Sequence, residues 1–303
     1  MRTDYYIDSC GAGQLHVCRW IPEDTPRGIV QIIHGIGEMA ERYEEFALHL
    51  ISEGYLVVAA DLMGHGSSLG GTRSYFHGGW AACVKDACRV TEETMEAYPG
   101  LPYVLLGHAT GSFVVRTILA RYPSSGITAA ILCGTGWYPS AVLQMLLQSA
   151  EAVCLKNGKE TPAPQLYKLI CGSYNRKIRK PRTPYDWLSR DDAVVDSYIS
   201  NPLCGDVPTC GLLRDVLRGV YCCQQPKNLE KMKKHLPVLM LSGKEDPLGN
   251  YGKGVEQTEE AFRKAGMVNV QVKIYPGCRH EILHELNNQA VWDDITGWLE
   301  HHM

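Results

Sequence analysis

Between residues 103 and 122 the chain reads as a short apolar strand, a sharp turn and a helix. The turn is Gly107-His108-Ala109-Thr110-Gly111, with a glycine two residues to either side of one central position. A strand that passes into a helix over so few residues must reverse tightly, and side chains at the flanking positions would clash. Residues 103–106 are apolar throughout, as a strand covered on both faces must be, and residues 112–122 carry the helical pattern. A chain built around this feature folds as an α/β protein, with a mostly parallel sheet between two layers of helices. The side chain presented at the tip of the turn is a bare methyl group, that of Ala109.

The rest of the chain keeps the same rhythm. Residues 14–20 and 29–34 read as early strands joined by a turn-rich link at 22–27, and residues 40–53 as a helix stopped by Gly54. Strands follow at 55–60, 129–133, 237–241 and 270–275, with helices at 84–97 and 289–300. From 136 to 234 no buried strand occurs, only helical pieces and Pro/Gly turns. The expected organisation is therefore a core of residues 1–135 and 235–303, with a helical cap of residues 136–234 inserted between two strands of one sheet. The first cap helix, residues 141–155, carries Val142, Leu143, Met145, Leu146 and Leu147, too apolar a set for a solvated helix. It packs on the core or lines an apolar pocket.

Composition removes several classes of function. With 30 Lys+Arg against 33 Asp+Glu there is no basic surplus to grip a phosphate backbone, so no nucleic-acid partner is expected. No apolar segment of a signal peptide follows Met1-Arg2-Thr3-Asp4, and the longest apolar run, residues 127–133, is far short of the roughly 20 residues that cross a bilayer. The 12 cysteines are scattered without a Cys-x-x-Cys pair, so reduced thiols and a cytoplasmic location are expected, with no structural zinc site.

Five motifs occur in a fixed order: His34-Gly35-Ile36-Gly37-Glu38, Asp61-Leu62-Met63-Gly64-His65-Gly66-Ser67-Ser68, the turn at Ala109, Ser242-Gly243-Lys244-Glu245-Asp246, and Gly277-Cys278-Arg279-His280-Glu281. Each follows an expected strand. In this the chain resembles the monoacylglycerol lipase/lysophospholipase-like branch of the α/β-hydrolase superfamily, also grouped with serine aminopeptidases. It departs from that pattern at Met63, where Arg is usual, at Thr110, where Met is common, and at Ala109, where the nucleophilic serine stands.

The resemblance implies a carboxylic ester hydrolase without cofactor or metal, acting on a small-molecule ester with an apolar portion. Position 109 would hold the nucleophile, Asp246 the acid and His280 the base, in the chain order of that fold. The N–H groups of Ile36 and Thr110 would form the oxyanion hole. Glu245, next to Asp246, is an alternative acid. Glu38 and Arg42 form an i,i+4 pair near the expected leaving group, and His34 and His65 support loops. The cap's Trp137, Tyr138, Leu143, Met145, Leu146, Trp187 and Tyr221 are the expected pocket walls.

Because the acid and base positions are intact, Ala109 reads as a serine changed to alanine in otherwise complete machinery; a non-catalytic small-molecule binding protein is the alternative. An amidase or aminopeptidase of the same fold would need an acidic anchor in the cap, such as Glu151 or Glu160. A rival motif, His280-Glu281-Ile282-Leu283-His284, matches H-E-x-x-H of zinc peptidases. That motif needs both histidines one turn apart on a helix, whereas Pro276-Gly277 just upstream places His280 in a loop or at a helix's first residue.

Overall fold

The computed structural model describes residues 1–303. Eight strands, β1 (Arg2–Asp8), β2 (Gln14–Trp20), β3 (Gly28–Ile33), β4 (Tyr55–Ala60), β5 (Tyr103–His108), β6 (Ala129–Cys133), β7 (Val238–Gly243) and β8 (Val270–Tyr275), form one sheet in the order β1-β2-β4-β3-β5-β6-β7-β8. The β1–β2 and β2–β4 pairs are antiparallel, and every pair from β4 to β8 is parallel. The helices are α1 (Glu44–Ser52), α2 (Gly79–Ala97), α3 (Thr110–Arg121), α4 (Ser140–Asn157), α5 (Pro164–Cys171), α6 (Asp192–Ser200), α7 (Cys210–Cys223), α8 (Pro226–Leu229), α9 (Lys253–Lys264) and α10 (Asn288–His302).

Successive residues of the central strands point to opposite faces, and both faces are apolar, so two cores form. Ile29, Ile33, Leu105 and Leu132 pack with Val84, Val114 and Phe262 of α2, α3 and α9. Val30, Ile32, Leu106 and Ile131 pack on the other face with Phe46 and Leu50 of α1 and Ile295 and Leu299 of α10. No helix is long and apolar enough to cross a membrane.

All the strands expected from periodicity are present. Two elements go beyond the sequence reading: β1, an edge strand whose residues are largely part-exposed, and α9, whose face toward the sheet is short and set among charged residues. The segment expected as one helix from 40 to 53 begins as a 3-10 turn, Ala40–Tyr43, before α1.

Strands β6 and β7 are sheet neighbours, yet α4 to α8 lie between them in the chain. Of these, α4 packs along α7, and α7 reaches down to α2 and α3 of the core. Thr209 caps α7: its Oγ1 accepts the Leu212 N–H at 3.1 Å and donates to the Ser74 carbonyl at 2.7 Å. Thr209→Ala should therefore lower stability by about 1–2 kcal/mol, read as a fall in the urea midpoint without a change in slope. An unchanged midpoint would contradict this account of the cap.

Candidate active site

The turn after β5 is as tight as its glycines imply. Ala109 has φ 49° and ψ −116°, a left-handed conformation that costs a non-glycine residue about 1–3 kcal/mol and persists only where the surroundings enforce it. A Cβ on Gly107 would lie 2.4 Å from the Gly111 carbonyl oxygen, and one on Gly111 would lie 1.9 Å from that of Ile33. The Ala109 N–H donates to the Cys133 carbonyl at 3.0 Å. Ser112 donates to the Ala109 carbonyl from its N–H at 3.0 Å and from its hydroxyl at 2.6 Å. The methyl of Ala109 is thus aimed by backbone on both sides.

The loop after β3 lies against this turn: a Cβ on Gly35 would come within 3.0 Å of the Ala109 Cβ. The Gly35 N–H donates to Glu38 Oε1 at 2.7 Å, while the N–H groups of Ile36 and of Thr110, the first residue of α3, carry no bond within the protein. They are donors left over at a loop and at a helix start. The histidines of these loops serve the backbone. His34 Nε2 accepts the Leu62 N–H at 2.9 Å, and Asp61 accepts from the N–H groups of Ala40 at 2.7 Å and Ser67 at 2.8 Å. His65 is fully enclosed beside His34, and burial pushes its imidazole down to about 4.

At the ends of β7 and β8 stand Asp246 and His280, both almost wholly buried. Asp246 Oδ1 accepts the Leu248 N–H at 2.8 Å. Its Oδ2 lies 3.0 Å from His280 Nδ1, a contact distance at which the angle is off the line of a hydrogen bond, and neither atom has another partner. Glu245 is exposed, so of the two adjacent acids only Asp246 meets the imidazole. The His280 ring sits between those of His108, 4.9 Å away, and Trp187, 5.0 Å away.

Beneath the imidazole lies a buried ionic network. Arg42 donates to Glu281 through two bonds, at 2.7 and 2.6 Å, and to Glu38 at 3.0 Å. The Tyr43 hydroxyl donates to Glu38 Oε1 at 3.1 Å, and His108 Nδ1 lies 3.1 Å from the same oxygen. Burial would raise both carboxyls, but His108 and Arg42 hold Glu38 well below the usual carboxylate range, and Arg42 holds Glu281 below its ordinary value. The expected Glu38–Arg42 pair is present; Glu281 as its third member has no local signal in the sequence. Of H-E-x-x-H, only residues 282–284 are helical, as one 3-10 turn, and His284 Nε2 lies 2.8 Å from the Arg42 carbonyl. With Glu281 bound to Arg42 and the two imidazoles differently engaged, the arrangement does not fit a zincin site.

A cavity of about 380 Å³ opens between this cluster and the cap. Of its 26 lining residues 21 are hydrophobic, and Ile36, Ala109, Thr110 and His280 stand on one wall. Clefts of about 440, 460 and 500 Å³ lie elsewhere, each with only four hydrophobic lining residues and none touching residue 109 or 280. The expected Tyr138, Leu143, Met145, Leu146 and Trp187 line the cavity, as does Glu38. Trp137 and Tyr221 do not. The Trp137 ring lies over the Arg116 guanidinium, 5.8 Å from it, and Tyr221, part-buried on α7, turns to α4, where its hydroxyl accepts from Gln144 at 3.2 Å. The wall opposite Ala109 comes instead from Leu213, Leu217 and Val220 of α7 and Tyr167, Ile170 and Tyr174 around α5. The 213/217/220 spacing was a helical stripe visible in the sequence.

Residues 24–287 match the Hydrolase_4 family model, described as Serine aminopeptidase, S33. The chain belongs to this family of α/β-hydrolases. Within the family it is 28% identical to the monoacylglycerol lipase of Mycolicibacterium smegmatis over 304 residues, spanning 100% of this chain and 98% of that one. It is 29% identical to human monoglyceride lipase over 298 residues, with 95% and 87% covered. Among solved structures, the S33-family chain superposes on a thermostable carboxyl esterase from Bacillus coagulans in complex with glycerol with a TM-score of 0.91, at 26% identity, covering 99% and 98% of the two chains. A soluble variant of Saccharomyces cerevisiae monoglyceride lipase shares the fold at TM-score 0.80 and 18% identity, covering 100% and 95%.

Proposed function

We propose that the cavity is the acyl-ester site of a carboxylic ester hydrolase of the monoacylglycerol-lipase type, in which Ala109 occupies the place of the nucleophilic serine. The observation that carries this reading is the shared wall: the tip of the strained turn, two free backbone N–H groups and an imidazole backed by a buried carboxylate all border one apolar cavity. A serine at 109 would attack the ester carbonyl, and His280 would take its proton and pass it to the leaving alcohol. Asp246 would hold the imidazole in the tautomer that leaves Nε2 free to do so. The N–H groups of Ile36 and Thr110 would receive the developing oxyanion, each lowering the barrier by about 3 kcal/mol. A methyl group supplies no nucleophile, so the chain with alanine holds an ester without opening it.

Residues 1–135 and 235–303 then form the catalytic core and residues 136–234 the cap that covers the acyl chain. All 12 cysteines are free, in keeping with the cytoplasm as the compartment. An aminopeptidase is disfavoured because neither candidate anchor reaches the cavity: Glu151 pairs with Arg218 at 2.6 Å, and Glu160 takes the Thr72 hydroxyl.

Ala109→Ser should make the protein react with a fluorophosphonate probe and hydrolyse acyl esters, while the alanine protein does neither. A folded Ala109→Ser protein that resists the probe would end the hydrolase reading.

A further inference from the structure

We infer that this chain, with alanine at position 109, binds an unesterified aliphatic carboxylate, its tail in the apolar cavity and its head on the wall of Ala109. The inference rests on the reading of that cavity as an acyl site. A serine Oγ at the tip of the turn would project into the cavity that His280 also lines. With alanine that space is open, and it adjoins the two free N–H groups of Ile36 and Thr110. His280 turns Nδ1 toward Asp246, so its Nε2 is the polar atom offered to the cavity, and that atom has no partner within the protein. A carboxylate carries two acceptor oxygens, one for each kind of donor on this wall. One accepts from the backbone N–H groups, and the other takes the place of the missing hydroxyl and accepts from His280 Nε2–H.

The charges balance. The ligand arrives as the anion and one proton is taken up from water at Nε2, leaving an imidazolium between the ligand carboxylate and Asp246. That arrangement of charge, anion, imidazolium, anion, is the one such a wall stabilises when an oxyanion forms on a substrate. The other acids near the head are already neutralised: Glu281 by the two bonds from Arg42, and Glu38 by Arg42 and His108. The one carboxylate left without a cation of its own, Asp246, lies behind the imidazole, 3.0 Å from Nδ1 and screened from the ligand by the ring. An ester gains less from it, because an ester oxygen is a weaker acceptor than a carboxylate and has no negative charge to hold an imidazolium at His280. The loss of the nucleophile thus changes which ligand the site prefers, from an ester to the acid that ester hydrolysis would release.

Titration calorimetry with decanoate and with 1-decanol separates head from tail, since both carry the same chain. The acid should bind the unaltered protein at least about tenfold more tightly than the alcohol, the contribution of hydrogen bonds to a charged group. In Ala109→Ser, whose hydroxyl occupies the oxygen site, and in His280→Leu, which lacks the donor, that ratio should fall toward one. Binding of the alcohol reports that each variant has kept its cavity. A ratio near one in the unaltered protein overturns the inference, and so does a failure of both ligands to bind. The fluorophosphonate reaction of Ala109→Ser is scored independently, so either conclusion can fail while the other stands.

Discussion

In an Ala109→Ser background, Asp246→Asn should lower kcat about 10⁴-fold, the loss that follows when a triad carboxylate becomes an amide. Asp246 is fully buried with Oδ1 committed to the Leu248 N–H at 2.8 Å, so the substituted side chain keeps that acceptor and turns its NH₂ toward His280. The imidazole must then accept at Nδ1, which puts its proton on Nε2, and Nε2 can no longer take one from a nucleophile. The proposed substrate contacts lie in the apolar cavity and are untouched, so KM should move far less than kcat. Steady-state kinetics on a chromogenic acyl ester measure both. A kcat reduced less than about tenfold would show that another group orients His280; Glu245, the sequence neighbour, is exposed and has no route to it.

Arg42→Met should destabilise the protein by about 3–5 kcal/mol, because it strips the cation from a buried cluster and leaves carboxylates uncompensated. Arg42 makes bonds of 2.7 and 2.6 Å to Glu281 and 3.0 Å to Glu38, and both acids are nearly inaccessible. After its removal Glu38 retains His108, but Glu281 keeps only His284 Nδ1 at 3.7 Å. Urea denaturation at neutral pH reads the loss, and adding Glu281→Gln should recover part of it, since removing both charges is milder than orphaning one. In the unaltered protein the two carboxyls lie below their unfolded value of about 4.3. Their stabilisation is therefore complete above that pH and disappears as the medium is acidified through their folded values. A double variant as unstable as Arg42→Met alone would refute this account of the network.

Much of the architecture was readable along the chain because it is encoded by neighbours. Runs of apolar residues marked each parallel strand, and glycines at 107 and 111 marked the turn, since there the backbone itself leaves no room for a Cβ. The edge strand β1 was missed because its pattern is half exposed, and α9 because its short buried face lies among charged residues, so neither gives a strong period. Tyr138, Leu143, Met145, Leu146 and Trp187 were picked out as pocket walls by their apolar character, and the same reasoning erred at Trp137 and Tyr221. Hydrophobicity says that a side chain seeks cover, not which cover it finds: Trp137 found a guanidinium, and Tyr221 the side chain of Gln144 on α4.

The order of the motifs, the strained turn with its methyl tip and the α/β layering are local or periodic properties, so the amino-acid sequence settled them unaided. Asp246 was named ahead of Glu245 from the sequence, but its approach to 3.0 Å from His280 Nδ1 needed the loop after β7 to face the one after β8, a matter of where two chain segments meet. The joining of Arg42 to Glu281 across 239 residues, and the selection of α5 and α7 side chains as the far wall of the cavity, likewise came only with the packed fold. Such contacts depend on distances through space between remote segments, and a one-dimensional pattern carries no record of those distances.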